Sequence, residues 1–233
     1  MQKINADIKV IAFDADDTLW NNEPYFKKAE ATMCEIMSPY GDAASISAQL
    51  FDIEMSNMPD YGYGAVAFTM SLIENAVKAS HGQISANDIL RIIEAGRELV
   101  RLKATPLEGV SETLSHLKEK TDFRLVVFTK GELLTQENKL KRSGLLPFFD
   151  KVFIVSDKKE KQYENLCQEM GIVPEELLMV GNSLKSDCLP ALNIGAWAVH
   201  IPYEVMWQHE VIKEFEHPCL RQIEKFNQVL SLL

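Results

Sequence analysis

The chain has 233 residues, 24 Lys and Arg against 34 Asp and Glu, and a formal net charge of −10. With 46% hydrophobic and 25% charged residues it reads as an ordinary globular chain, excluding collagen-like, low-complexity and largely disordered classes. The acidic balance disfavours a nucleic-acid binder, which usually presents a basic face. Cys34, Cys167, Cys188 and Cys219 form no CxxC pair, so neither a zinc ribbon nor a disulfide framework is expected. No apolar run reaches the roughly 18 residues of a membrane span. The short run Ile8 to Phe13 ends in acids, unlike a signal segment. A cytoplasmic protein is the expectation, with no membrane and no nucleic-acid partner.

In chain order, the first element is Ile8 to Phe13, a short apolar run closed by Asp14. From Trp20 to about Lys103 no buried strand is evident. That stretch reads as helices near Pro24–Met37, Ser45–Ser56, Ala65–Ser80 and Ala86–Arg101, with Asn87 and Asp88 as capping residues of the last. Thr105-Pro106 breaks the pattern. Ser111–Lys120 carries Leu114 and Leu117 on one stripe and predicts a helix. Then come Leu125–Phe128 before Thr129, a helix over Glu132–Arg142, and Val152–Val155 before Ser156-Asp157. A helix over Glu160–Met170 follows, with Tyr163, Leu166, Cys167 and Met170 on its apolar stripe. Leu177–Val180 precedes Gly181-Asn182, and a fifth run spans Ala196 to Ile201. Near-continuous apolar runs alternating with helices predict a parallel sheet buried on both faces, a doubly wound α/β fold. In such folds ligands bind beyond the carboxyl ends of the strands, where the polar clusters fall.

Asp14, Asp16 and Asp17 place three carboxylates within four residues. Like charges repel at that range. A solvated acidic turn or the start of a helix would tolerate them. A divalent cation would relieve them, with one carboxylate serving as nucleophile. Five His residues show no metal-ligand spacing.

The segments FDADDTLW, VVFTKG, VSDKKEKQY and MVGNSLKSD, in that order and each after a strand, resemble the haloacid dehalogenase superfamily. The resemblance runs from about Lys9 to Ile201. It implies a Rossmann-like core with an inserted α-helical cap, the core being 1–19 and 105–233 and the cap 20–104. It implies Asp14 as nucleophile, Asp16 as general acid/base, and Thr129 with the Lys130 N–H as holders of phosphoryl oxygens. A lysine after the third strand would neutralise charge. Lys158, Lys159 and Lys161 are candidates, and Lys158, nearest the strand end, is preferred as the catalytic and phosphate-binding lysine. The implied cofactor is Mg²⁺, with Asp14, Asp16, Asn182 and Asp187 as its ligand set. Asn182 stands where many relatives have Asp, so the site has one charge fewer. An acid at position 16 disfavours carbon–halogen cleavage, since true haloacid dehalogenases lack it.

The expected activity is hydrolysis of a small phosphorylated metabolite through an aspartyl-phosphate. A phosphomutase, or a binding protein that has lost turnover, are the alternatives. Tyr61 and Tyr63, set among Gly62 and Gly64, are the candidate substrate contacts of the cap. The amphipathic stretches after Tyr203 are expected to cover a sheet edge or face, or else to form a dimer contact. Either a monomer or a homodimer is open.

Overall fold

The computed structural model describes residues 3–233. Two compact units emerge. One comprises the segment up to Glu23, Ala104–Lys130 and Leu140–Leu233; the other comprises Pro24–Lys103 and Gly131–Lys139.

The first unit is built on a parallel sheet of six strands among the described residues. They are β1 (Val10–Phe13), β2 (Arg124–Lys130), β3 (Lys151–Val155), β4 (Leu177–Gly181), β5 (Trp197–His200) and β6 (Leu220–Gln222). Their order is β3-β2-β1-β4-β5-β6, the Rossmann-like, doubly wound order. Strand order reverses between β1 and β4, so the crevice past their carboxyl ends is the default ligand position. Every residue of β1 and β4 is buried, because both faces of the sheet are covered.

Alternation along the strands decides what covers each face. Ile11, Phe13, Leu125, Val127, Leu178 and Val180 pack with Val110, Leu114 and Leu117 of α5 (Val110–Lys120). Ile223, Phe226 and Val229 from the C-terminal segment join them. Val10, Ala12, Val126, Phe128, Leu177 and Met179 pack instead on Tyr163, Leu166, Cys167 and Met170 of α7 (Glu160–Met170). The stripe legible in that helix is therefore its buried face. The C-terminal segment also supplies β6, which pairs with β5 at the sheet edge. Nothing in the short sequence Leu220–Gln222 marks it as a strand; pairing with β5 makes it one.

The second unit holds α1 (Glu23–Met37) from Pro24 onward, α2 (Ala43–Tyr61), α3 (Ala65–Ala79) and α4 (Ala86–Val100). Met33, Met37, Leu50, Leu72 and Ile92 form its fully buried centre. Gly96 lets α3 and α4 approach, since a Cβ there would lie 2.0 Å from Thr69 Oγ1. Two local expectations are corrected. Ser85, not Asn87 or Asp88, caps α4: its hydroxyl accepts from the Asp88 N–H, and Asp88 lies inside the first turn. Helix α2, expected to end near Ser56, runs on through Pro59, so Met58–Tyr61 form its last turn. Helix α6 (Leu133–Ser143) begins in this unit. Glu132, just before it, accepts from the Val66 N–H at 3.0 Å. It thus serves the N-terminus of α3, whose own cap residue Gly64 has no side chain to offer. Among the described residues no helix is long and apolar enough to cross a membrane.

Candidate active site

The site lies at the carboxyl ends of β1, β2 and β4, within the first unit. Asp14 follows β1 directly, and its N–H donates to Val180 O at 2.9 Å, continuing the sheet by one bond. The parallel register sets Phe13 beside Val127 on one side and Val180 on the other. Thr129, Gly181 and Asn182 therefore emerge at the same end of the sheet as Asp14.

Lys158 Nζ lies 2.5 Å from Asp14 Oδ1 and 2.7 Å from Asp187 Oδ1. Its side chain is 1% exposed, those of Asp14 and Asp187 10% and 2%. Burial drives the Lys158 ammonium toward neutrality, but the two carboxylates outweigh it and hold it at about 12. Burial likewise pushes the Asp14 carboxyl up to about 7, against the pull of Lys158 and with a further push from Asp187. Lys159 and Lys161 are exposed and pair with Asp157 and Glu164. Of the three lysines, Lys158 is the one brought to Asp14.

The second oxygen of Asp14 faces a different partner. Thr18 Oγ1 is 3.1 Å from Asp14 Oδ2 and 3.2 Å from Asn182 Oδ1. A carboxylate oxygen and an amide oxygen thus converge on one hydroxyl. Among the described residues no group of three or more His, Cys, Asp or Glu side chains forms a metal cage. The oxygen-only pair of Asp14 and Asn182 fits a hard cation that takes few protein ligands and keeps several waters. Asp187 faces elsewhere: Oδ1 meets Lys158, and Oδ2 accepts from the Ser183 N–H at 2.9 Å.

The other acids of the first motif part company. Asp16 Oδ1 accepts from the Trp20 indole N–H at 2.7 Å, and Trp20 is itself buried in the core. Asp17 adopts φ 63° and accepts from the N–H groups of Asn22 and Glu23, the start of α1. Burial pushes its carboxyl up to about 8 despite those N–H groups. The three-acid run thus divides: Asp14 meets Lys158, Asp16 meets Trp20, and Asp17 caps the start of α1.

The loop after β4 is a π-turn, Leu184–Cys188, a conformation found often at functional sites. It curls Asp187 back to the Ser183 N–H. Gly181 is required beneath it, since a Cβ there would sit 2.2 Å from Asp187 Oδ2. Three supports were not legible as site residues. Tyr163 Oη lies 3.0 Å from both Ser186 O and Asp187 O. His200 Nε2 lies 3.0 Å from Asn182 O, which can only accept, so Nε2 carries the proton. Glu210 lies 2.6 Å from Lys130 Nζ and from the hydroxyls of Ser183 and Ser186. Tyr163 showed only its apolar spacing, and Glu210 sits far along a segment with no motif.

The haloacid dehalogenase-like hydrolase family model matches residues 8–195, most of the chain and all four motif segments. The chain belongs to this hydrolase family. A haloacid dehalogenase-like family hydrolase from Xanthomonas campestris is similar over 100% of this chain and 94% of its own, at 33% identity and TM-score 0.87. A glyceraldehyde 3-phosphate phosphatase of Methanothermobacter thermautotrophicus is 28% identical over 210 residues, 85% of this chain and 87% of that protein. A human N-acylneuraminate-9-phosphatase is 22% identical over 199 residues, 81% of this chain and 79% of that protein.

Of the residues expected from sequence, Lys158 meets both Asp14 and Asp187, Asn182 shares the Thr18 hydroxyl with Asp14, and Asp16 turns to Trp20. Thr129 is buried at the end of β2, and Lys130 beside it turns its ammonium toward Glu210 and Ser186. Tyr61 and Tyr63 belong to the other unit; Tyr61 closes α2 and is 51% exposed.

Proposed function

We propose that this hydrolase is a Mg²⁺-dependent phosphatase of small phosphorylated metabolites, working through an aspartyl-phosphate. The observation that carries this reading is the buried Lys158 ammonium held against Asp14 at the end of β1. A fixed cation beside a carboxylate, away from water, is the electrostatic arrangement phosphoryl transfer needs.

In this reading Asp14 attacks phosphorus and the P–O bond to the leaving group breaks. Asp16 gives its proton to the departing oxygen, then takes one from the water that hydrolyses the aspartyl-phosphate. The Trp20 indole N–H fixes the direction in which Asp16 points. The Thr129 hydroxyl and Lys130 N–H hold the phosphoryl oxygens. Lys158 neutralises charge on Asp14 and on the phosphoryl group, and Asp187 keeps Lys158 in place. Asp14, Asn182 and the Asp16 carbonyl would hold Mg²⁺, which when bound supplies further positive charge to the phosphoryl oxygens.

The phosphatase names of the related proteins support a small phosphate ester as substrate. An acid at position 16 supports proton transfer to an oxygen leaving group. We read the helical insertion, 20–104, as a cap domain that selects the substrate, with Tyr61 and Tyr63 as contacts. Four unpaired cysteines fit a reducing, cytoplasmic location. A monomer or homodimer suits the reading.

The test is phosphate release from an aryl phosphate with Mg²⁺ present. Activity that disappears with chelator and in Asp14→Asn, with unfolding cooperativity retained, is the expected result. Full activity in Asp14→Asn, or no release by the wild type on a panel of phosphate esters, would overturn it.

A further inference from the structure

We propose that Glu210 is a positioning residue that locks the end of β2 to the loop after β4, the two segments flanking Asp14, an inference that rests on the phosphatase reading for its catalytic consequence. Strands β2 and β4 lie on either side of β1. β2 ends in Thr129-Lys130, and the loop leaving β4 carries Asn182–Asp187. Glu210 bonds to both. Its Oε1 accepts from Lys130 Nζ at 2.6 Å, and its Oε2 from Ser183 Oγ and Ser186 Oγ, each at 2.6 Å. Lys130 Nζ also donates to Ser186 Oγ at 2.8 Å, closing the ring. The Lys130 and Glu210 side chains are 14% and 13% exposed, so the pair is largely sheltered from solvent screening.

Both ends of this clamp continue into the site. Ser183 donates its N–H to Asp187, which holds Lys158, which meets Asp14. On the other side Lys130 directly follows Thr129. Neighbouring Lys185 adds a third tie, donating to His209 O at 2.6 Å. The ammonium of Lys130 is thereby committed to the clamp. Glu210 lies beyond residue 195, where the family match ends. The C-terminal segment of this chain therefore contributes a part of the site that the shared motifs do not contain.

Glu210→Ala and Glu210→Gln decide the matter with two readouts. Amide hydrogen exchange should quicken on the order of tenfold at residues 129–131 and 182–188 in Glu210→Ala, with α5 unchanged. In the aryl phosphate assay kcat should fall on the order of 10- to 100-fold, because small displacements of catalytic groups are costly. KM should move much less. Glu210→Gln retains one acceptor and should recover part of both effects. Unchanged exchange at either segment, or a uniform rise across the whole sheet unit in both variants, overturns the clamp. Localised exchange with unchanged kcat overturns its role in catalysis. If the wild type releases no phosphate, the phosphatase reading fails, while the exchange data still decide the clamp.

Discussion

Lys158 Nζ sits 2.5 Å from Asp14 Oδ1 in a place where neither side chain is more than a tenth exposed. The two residues are separated by 144 positions and meet because β1 and the β3–α7 connection end at the same side of the sheet. Asp187 completes the set from a third loop. One ammonium thus compensates two buried carboxylates.

Replacing that ammonium should therefore be costly in two ways. Lys158→Met should abolish phosphate release, and at pH 8 should lose roughly 3–5 kcal/mol of stability by orphaning buried charge. The stability loss should shrink as pH falls through the Asp14 value, raised by burial to about 7, since Asp14 then takes up a proton and needs no partner. Urea denaturation at pH 8 and pH 5 reads both parts; an equal loss at the two values would contradict the account.

Asn182 offers an amide oxygen where an acid would add charge. Asn182→Asp should tighten Mg²⁺, seen as a lower Mg²⁺ concentration for half-maximal activity and by direct titration calorimetry. Added negative charge near Asp14 is repulsive without the cation, so the variant should also be more stabilised by Mg²⁺ in thermal melts than the wild type. Identical Mg²⁺ responses would remove Asn182 from the proposed metal site.

Trp20 connects the core to Asp16. Trp20→Phe keeps most of the buried aromatic volume but removes the indole N–H that meets Asp16 Oδ1 at 2.7 Å. Loss of orientation should lower kcat on the order of tenfold. The melting temperature should change by only a few degrees for a loss of about 1 kcal/mol. Wild-type kcat in a folded Trp20→Phe protein would show that the bond does no catalytic positioning.

Glu210 should also mark the acid limb of stability. Burial raises its carboxyl, but Lys130 and the serine hydroxyls outweigh it and hold it down at about 2, below the ordinary 4.5. A folded-state value below the unfolded one means stability that is complete above about pH 4.5 and lost as pH falls toward 2. The displacement corresponds to on the order of 3 kcal/mol at neutral pH. Glu210→Gln should be less stable than wild type at pH 7 and converge with it near pH 2. Parallel curves across that range would refute the assignment.

The sequence by itself determined the core strands, most of the helices and the positions of the motif residues at the strand ends. Buried parallel strands must be apolar on both faces, so β1, β2, β3 and β4 announce themselves as continuous runs, and the residues just after them are placed by chain continuity alone. The helix over Glu160–Met170 was readable to the residue because its stripe and Gly171 are local signals. Tertiary structure alone decided which partners those residues meet. Asp17 looked like a third member of a charge cluster and became a helix cap, because its φ of 63° turns it toward Asn22 and Glu23. Three lysines near one strand were equivalent by charge, and burial singled out Lys158. β6 and Glu210 carry no local signal, since an edge strand of three residues and a lone acid acquire meaning only from what lies across from them. The net charge of −10 was plain from composition; that Asp14 and Asp187 meet buried Lys158, and Glu210 the half-buried Lys130, depends on contacts between residues far apart in the chain.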